Sequence, residues 1–296
     1  MSYKDQSKAY LYASLTVFFW STVATAFKIA LRDLNNIQLL FVANNTSLMI
    51  FVVLLIVQGK FSEFKKTSLS ELGLSSLQGL LNPFAYYLIV FKAYSLLPAQ
   101  VAQPANFIWP IVLMLLSVPF LKQSMKLKSI LALLISFTGV LILSSQGDPG
   151  SFRIVEPLGI GLALLSSVVW ALFWILNIRD RRDNLIKLLL SSFFSSLYIT
   201  VLSFVTGDLL TVFSRPIGAA IYIGFFELGV TYTLWLKALQ LSKSTGRIAN
   251  FIYLTPFVSL IFIHFILHEK LYYTSVIGLC LIVAGIIVGQ IKNRPE

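Results

Sequence analysis

The chain has 296 residues, 57% of them apolar and only 12% charged. Soluble domains carry about 25% charged residues, so this composition excludes an ordinary soluble globule and fits a polytopic membrane protein. A net charge of +11 does not mark a nucleic-acid binder, because the basic residues lie in short breaks between apolar stretches rather than in one patch.

Ten apolar stretches of bilayer length follow one another. Their edges fall at about 9–30, 37–58, 72–94, 99–120 and 127–145, then at about 156–177, 185–206, 216–239, 245–267 and 272–290. The first stretch has no small-residue cleavage signal and reads as a retained helix. The third contains Asn82-Pro83, where a helix must adjust and free backbone groups. The fourth, AQVAQPANFIWPIVLMLLSVPF, has no charge but holds Gln100, Gln103, Asn106 and three prolines, Pro104, Pro110 and Pro119. Amides in hydrocarbon want partners, so this stretch should be bent and should face protein or a cavity. Gly147, Asp148, Pro149 and Gly150 mark a turn between the fifth and sixth stretches. The lone cysteine, Cys280, cannot form an intrachain disulfide.

The two halves echo each other. NFIWP in the fourth stretch becomes NFIYLTP in the ninth, and Lys92-Ala93 returns as Lys237-Ala238. Pro110 with Pro256 and Gly139 with Gly285 share an offset of 146. This divides the chain into a first repeat at 9–145, helices 1–5, and a second at 156–290, helices 6–10. Five spans per repeat is odd, so the repeats should lie inverted, an arrangement common in secondary transporters with a site near the midplane. Alternate loops and both termini hold seventeen of the 23 Lys and Arg, which orients both termini to the cytoplasm.

An acidic residue within a membrane helix is costly and by default a functional candidate. Glu227 lies half-way along the eighth stretch. It could carry a proton, hold a substrate ammonium, or donate one interhelical hydrogen bond. Lys28 near the end of the first stretch could snorkel to the interface or face a substrate carboxylate. Asn106 and Asn250 occupy similar surroundings in the two echo helices and could bind substrate or bridge crossing helices. Asn44, Asn45, Thr46 and Ser47 form a polar patch better suited to packing. The rings are abundant, with 24 Phe, 12 Tyr and 5 Trp. Tyr87, beside the Asn82-Pro83 break, and Trp109, beside Pro110, are the aromatics best placed to face a cavity; Trp170 and Trp174 share a helix face. His264 and His268 lack any supporting ligand pattern, so no metal is expected. Neither a phosphate-binding GK[ST] loop nor a nucleophile elbow occurs in the sequence, so neither an ATPase nor another enzyme is expected, and no cofactor.

The chain resembles the drug/metabolite transporter superfamily in its ten-helix branch of two EamA domains. Within it, Asn82-Pro83 with Tyr87, the NFIWP run, Glu227 with Tyr232, Trp235 and Ala238, and the YLTP run at 253–256 resemble the YddG-like bacterial exporters of aromatic amino acids. The resemblance implies an all-α polytopic membrane protein whose two inverted five-helix repeats form a basket around a central cavity. Spans 1, 3, 4, 6, 8 and 9 would line it. It also implies alternating-access export of aromatic and related amino acids without ATP, in the bacterial cytoplasmic (inner) membrane. The expected substrate-binding set is then Asn82, Tyr87, Asn106, Trp109, Glu227 and Asn250, with Glu227 the candidate for proton coupling. The expected partners are an amino acid-like solute, membrane lipids and protons, with no nucleic acid, and the expected state is a monomer. A permease for another metabolite, a nucleoside or a cationic drug is the alternative. Gln123 departs from the glutamate that such first repeats often carry, whereas Glu269 keeps it in the second.

Overall fold

A computed structural model describes residues 5–121, 127–148, 156–242 and 250–290, and all the regular structure in them is helical. Two long helices come first, α1 (Gln6–Ala30) and α2 (Asn36–Val57). Asp5 caps α1 by accepting from the Lys8 N–H, and Asn35 with Gln38 closes a reciprocal capping box on α2. A short α3 (Phe61–Lys65) leads to α4 (Leu69–Gly79), capped by Ser68 and Glu71. A π-helical segment, Leu80–Ala85, joins α4 to α5 (Tyr86–Leu96). The expected break falls here: Asn82 leaves helical geometry at φ −149, ψ 123, and the Asn82-Pro83 peptide is cis.

The fourth apolar stretch is two helices, α6 (Ala99–Asn106) and α7 (Trp109–Leu121), parted at Phe107 and Ile108. Pro110 lacks the N–H that a continuous helix would use there, and at the second position of α7 that loss is harmless. α8 (Leu127–Ser144) follows, then α9 (Pro157–Arg179), with Pro157 at its first turn, and α10 (Asn184–Val205), capped by Asp183. Beyond α11 (Asp208–Thr211) and a 3-10 turn, α12 (Gly218–Tyr222) passes through a second π-helical segment, Ile223–Val230, into α13 (Thr231–Leu241). A 3-10 turn at Asn250–Leu254 opens α14 (Thr255–Leu267), which ends at His268 in the left-handed region, and α15 (Tyr273–Gln290) completes the described chain.

The protein is an all-α, polytopic membrane protein. Among the described residues six helices are long and apolar enough to cross a membrane, namely Gln6–Ala30, Asn36–Val57, Leu69–Leu96, Ala99–Phe120, Pro157–Asn177 and Asn184–Val205. A seventh exists if Asp208–Ser214 and Gly218–Trp235, bent by 102°, form one broken span. Three shorter apolar helices, Ile130–Ser144, Phe251–Leu267 and Tyr273–Val288, accompany them. Many large apolar side chains point outward, as on Val53, Val57, Phe204, Val205 and Phe265, which suits a lipid-facing surface.

Helices pack through small and hydroxyl residues, as expected where lipid removes the hydrophobic drive for helix association. α8 lies against α15 so closely that a Cβ on Gly139 would sit 2.6 Å from the Gly278 carbonyl oxygen. The same happens 146 residues on, where a Cβ on Gly285 would sit 2.7 Å from the Ala132 carbonyl oxygen. Gly79 lies against the Ser191 carbonyl of α10, and Gly224 against the Ala43 carbonyl of α2. The polar patch on α2 is a packing device: Asn44 Nδ2 donates to the Ser192 carbonyl at 3.1 Å, and Ser196 Oγ donates to Asn45 Oδ1 at 2.6 Å.

The link between α9 and α10 is pinned by a buried ion pair. Arg182 Nη2 lies 2.6 Å from Asp180 Oδ2, and Lys187 Nζ donates to the Asp180 carbonyl at 3.2 Å. Burial pushes the Asp180 carboxyl upward, but the Arg182 hydrogen bonds and charge outweigh it and hold the group below its usual range. The stability this contributes is present above the unfolded carboxyl pKa and is lost as pH falls through the lower folded value.

Candidate functional site

One cavity of about 280 Å³ opens among α1, α5, α6, α7, α9, the Glu227 segment, α13 and the turn into α14. It contains all five tryptophans of the chain, Trp20, Trp109, Trp170, Trp174 and Trp235, coming from four helices. Their rings stand in two groups on the wall. Trp170 stands 6.4 Å from Trp109, 6.1 Å from Trp174 and 4.6 Å from Tyr86, centroid to centroid, and Trp20 stands 6.0 Å from Trp235. Such tilted and edge-on spacings are the favourable ones for aromatic pairs. The i, i+4 spacing of Trp170 and Trp174 puts both on the cavity side of α9.

Glu227 enters the cavity wall from the π-helical segment. Its Oε1 accepts from the Tyr87 hydroxyl at 3.0 Å; its Oε2 is buried and has no partner. Asn106 also lines the cavity, but its amide is already engaged. Nδ2 donates to Ser166 Oγ at 2.8 Å, and Oδ1 accepts from the Tyr86 hydroxyl at 3.2 Å. Asn106 thus bridges α6, α9 and α5. Gln103 lines the same wall and leaves its buried Oε1 without a partner.

Of the six residues singled out in the sequence, Asn106, Trp109 and Glu227 reach the cavity. Tyr87 is buried behind it and touches it through Glu227, whereas Asn82, also buried, belongs to a small separate void with Pro83 and Tyr87. Asn250 begins the 3-10 turn, and its side chain lies outside the described residues, as do Gln123 and the run 243–249. Four wall tryptophans, Trp20, Trp170, Trp174 and Trp235, were not singled out as binding residues. Each falls within a span, and Trp170 and Trp174 share a helix face, which core packing explains equally well; Trp235 stood only among the residues of the family resemblance.

Beyond Phe27 and Tyr94 lies a knot of hydrogen bonds. Lys28 does not line the cavity: its Nζ donates to the Tyr94 and Leu97 carbonyls, at 2.9 and 3.0 Å, capping the C-terminal end of α5. Glu269 accepts from the Ala99 N–H at 3.0 Å and so caps α6 from across the bundle. Gln100 completes the knot, donating to the Lys270 carbonyl at 2.8 Å and accepting from the Tyr272 N–H at 3.0 Å. Among the described residues no cluster of His, Cys, Asp and Glu could hold a metal ion.

The engaged amide of Asn106 changes what its removal does. Asn106→Ala strands the Tyr86 hydroxyl and Ser166, so it is expected to cost about 1 kcal/mol of stability as well as transport. A thermal melt of the purified variant beside its transport rate checks this; an unchanged melt with lost transport would make the amide a substrate ligand alone.

Comparison with known proteins agrees with this architecture. The model of the EamA-like transporter family matches the chain twice, at residues 7–145 and 157–289. The chain is 25% identical over 221 residues to YvbV of Bacillus subtilis, named an uncharacterized transporter, covering 73% of this chain and 71% of that protein. It is 25% identical over 296 residues to an uncharacterized transporter of Archaeoglobus fulgidus, covering 95% and 98%. A solved crystal structure shares the fold at a TM-score of 0.63 and 17% identity, over 97% of each chain. The chain belongs to the EamA-like transporter family, within the drug/metabolite transporter superfamily, and is a multi-pass membrane transporter rather than an enzyme.

Proposed function

We propose that the chain is a secondary transporter that moves small ring-bearing amines and amino acids, aromatic amino acids among them, outward across the bacterial cytoplasmic membrane by alternating access. The observation that carries this reading is the ring-walled cavity lined by every tryptophan of the chain and a buried carboxylate. Ring faces accept a flat apolar group, and a few polar atoms orient it.

The proposed frame is ten spans in two inverted repeats, 9–145 and 156–290, with both termini cytoplasmic and the protein acting as a monomer. The double family match supports it, as does the packing of α8 on α15, where Gly139 and Gly285, 146 residues apart, each close on the other helix. The six long helices, the broken seventh and the three shorter ones add up to that number. Glu227 is the proposed coupling residue, because a buried carboxylate that faces the cavity can exchange a proton when it meets water.

Counterflow in sealed proteoliposomes tests the reading. Vesicles preloaded with unlabelled phenylalanine, tryptophan or a ring-bearing amine should take up the labelled solute faster than empty vesicles, without ATP. If no ring-bearing solute shows trans-stimulated flux while the reconstituted protein remains folded, the reading fails.

A further inference from the structure

The charge inventory of the cavity narrows the substrate class. Among the described residues the wall holds one carboxylate, Glu227, and no Lys, Arg or His. Its buried unpartnered side-chain oxygens are Glu227 Oε2, Gln103 Oε1 and the Thr255 hydroxyl. The nearest basic side chain along α1, Lys28, does not line the wall and is engaged by two backbone carbonyls. Asn106 is spent on Tyr86 and Ser166.

Among the described residues a negative charge entering this space would therefore meet neutral donors only, the indole N–H groups of Trp170 and Trp174 and the Thr255 hydroxyl among them. Burying an uncompensated charge is strongly unfavourable. A zwitterionic amino acid has that problem at its carboxylate end. A cation has none: it faces Glu227, and the surrounding ring faces attract positive charge, an arrangement that suits quaternary and alkylated ammonium groups best. The rings needed for this lie on the wall, Trp170 beside Trp109, Trp174 and Tyr86, and Trp20 beside Trp235, while Tyr87 behind it holds Glu227.

Resting on the transporter reading above, we infer that the cavity prefers a monovalent organic cation bearing an aromatic ring, with no carboxylate, over an aromatic amino acid. Glu227 supplies the counter-charge and the tryptophan wall supplies the cage.

Three probes of one ring and different charge test this on the full-length protein: phenyltrimethylammonium, phenylalanine and benzenesulfonate. Because all five tryptophans line the cavity, intrinsic fluorescence of the solubilised protein reads its occupancy, and labelled probes in proteoliposomes read transport. Phenyltrimethylammonium should bind at least about tenfold more tightly than phenylalanine, equivalent to about 1.4 kcal/mol, and benzenesulfonate should not bind. Glu227→Gln should remove at least about tenfold of the cation affinity, and Glu227→Asp should restore part of it. If Glu227→Gln does not fold, the wild-type ranking decides. Phenylalanine binding as tightly as the cation, benzenesulfonate binding, or undiminished cation affinity in folded Glu227→Gln overturns the inference. Carried phenylalanine with an ignored cation would overturn the inference alone. No transport of any probe would take the transporter reading with it.

Discussion

Glu227→Gln is expected to end concentrative transport, lowering the initial rate under a pH gradient at least about tenfold while leaving the fold intact. The carboxylate has one oxygen on Tyr87 and one with no partner, so it has room for one further positive occupant. That occupant is either a proton or the charge of a substrate, and under the proposed coupling role their mutual exclusion would link the two movements. Glutamine keeps the size of the side chain and can still accept from Tyr87, but it holds neither occupant. A pH-sensitive dye trapped in proteoliposomes should report substrate-dependent proton movement in the wild type and none in the variant. Unchanged substrate flux, with and without the gradient, would leave Glu227 as a packing residue.

The second large effect lies far from the cavity. Gly278→Ala is expected to destabilise the protein by about 1–3 kcal/mol, the usual range for forcing extra volume into a packed contact. A Cβ there would stand 2.6 Å from the Gly139 carbonyl oxygen and 2.6 Å from Leu143 Cβ. Neither neighbour is the mobile end of a long side chain, so α8 and α15 must part. Gly161→Ala is the matched control. Nothing lies within 4 Å of its would-be Cβ on α9, so helix propensity alone should decide, with a gain of about 0.5–1 kcal/mol. Thermal melts in detergent of both variants should shift in opposite directions. A Gly278→Ala protein as stable as the wild type would show that the two helices are less tightly apposed than described.

The membrane class was legible in the chain itself, because hydrocarbon imposes a simple rule on every span: about twenty apolar residues with their backbone satisfied internally. The same rule made the exceptions readable. Asn82-Pro83 and the NFIWP run break the helix because proline removes a donor, and both breaks are present, at Asn82 and at Phe107–Ile108. Glu227 stood out because a carboxylate in an apolar run needs a reason. Which side chains surround it was not legible. Trp170 and Trp174 share a face by spacing alone, but whether that face meets lipid, core or cavity depends on how α9 is rotated against α5 and α7. Likewise, Asn106 looked equally suited to substrate and to bridging until Tyr86 and Ser166, 20 and 60 residues away, took both ends of its amide. Lys28 found its partners 66 and 69 residues on. Local sequence determined where helices run and where they break, since that depends on each residue's own backbone and its transfer from water. Only the tertiary structure decided which faces meet, because hydrogen-bond partners and cavity walls are chosen among residues far apart in the chain.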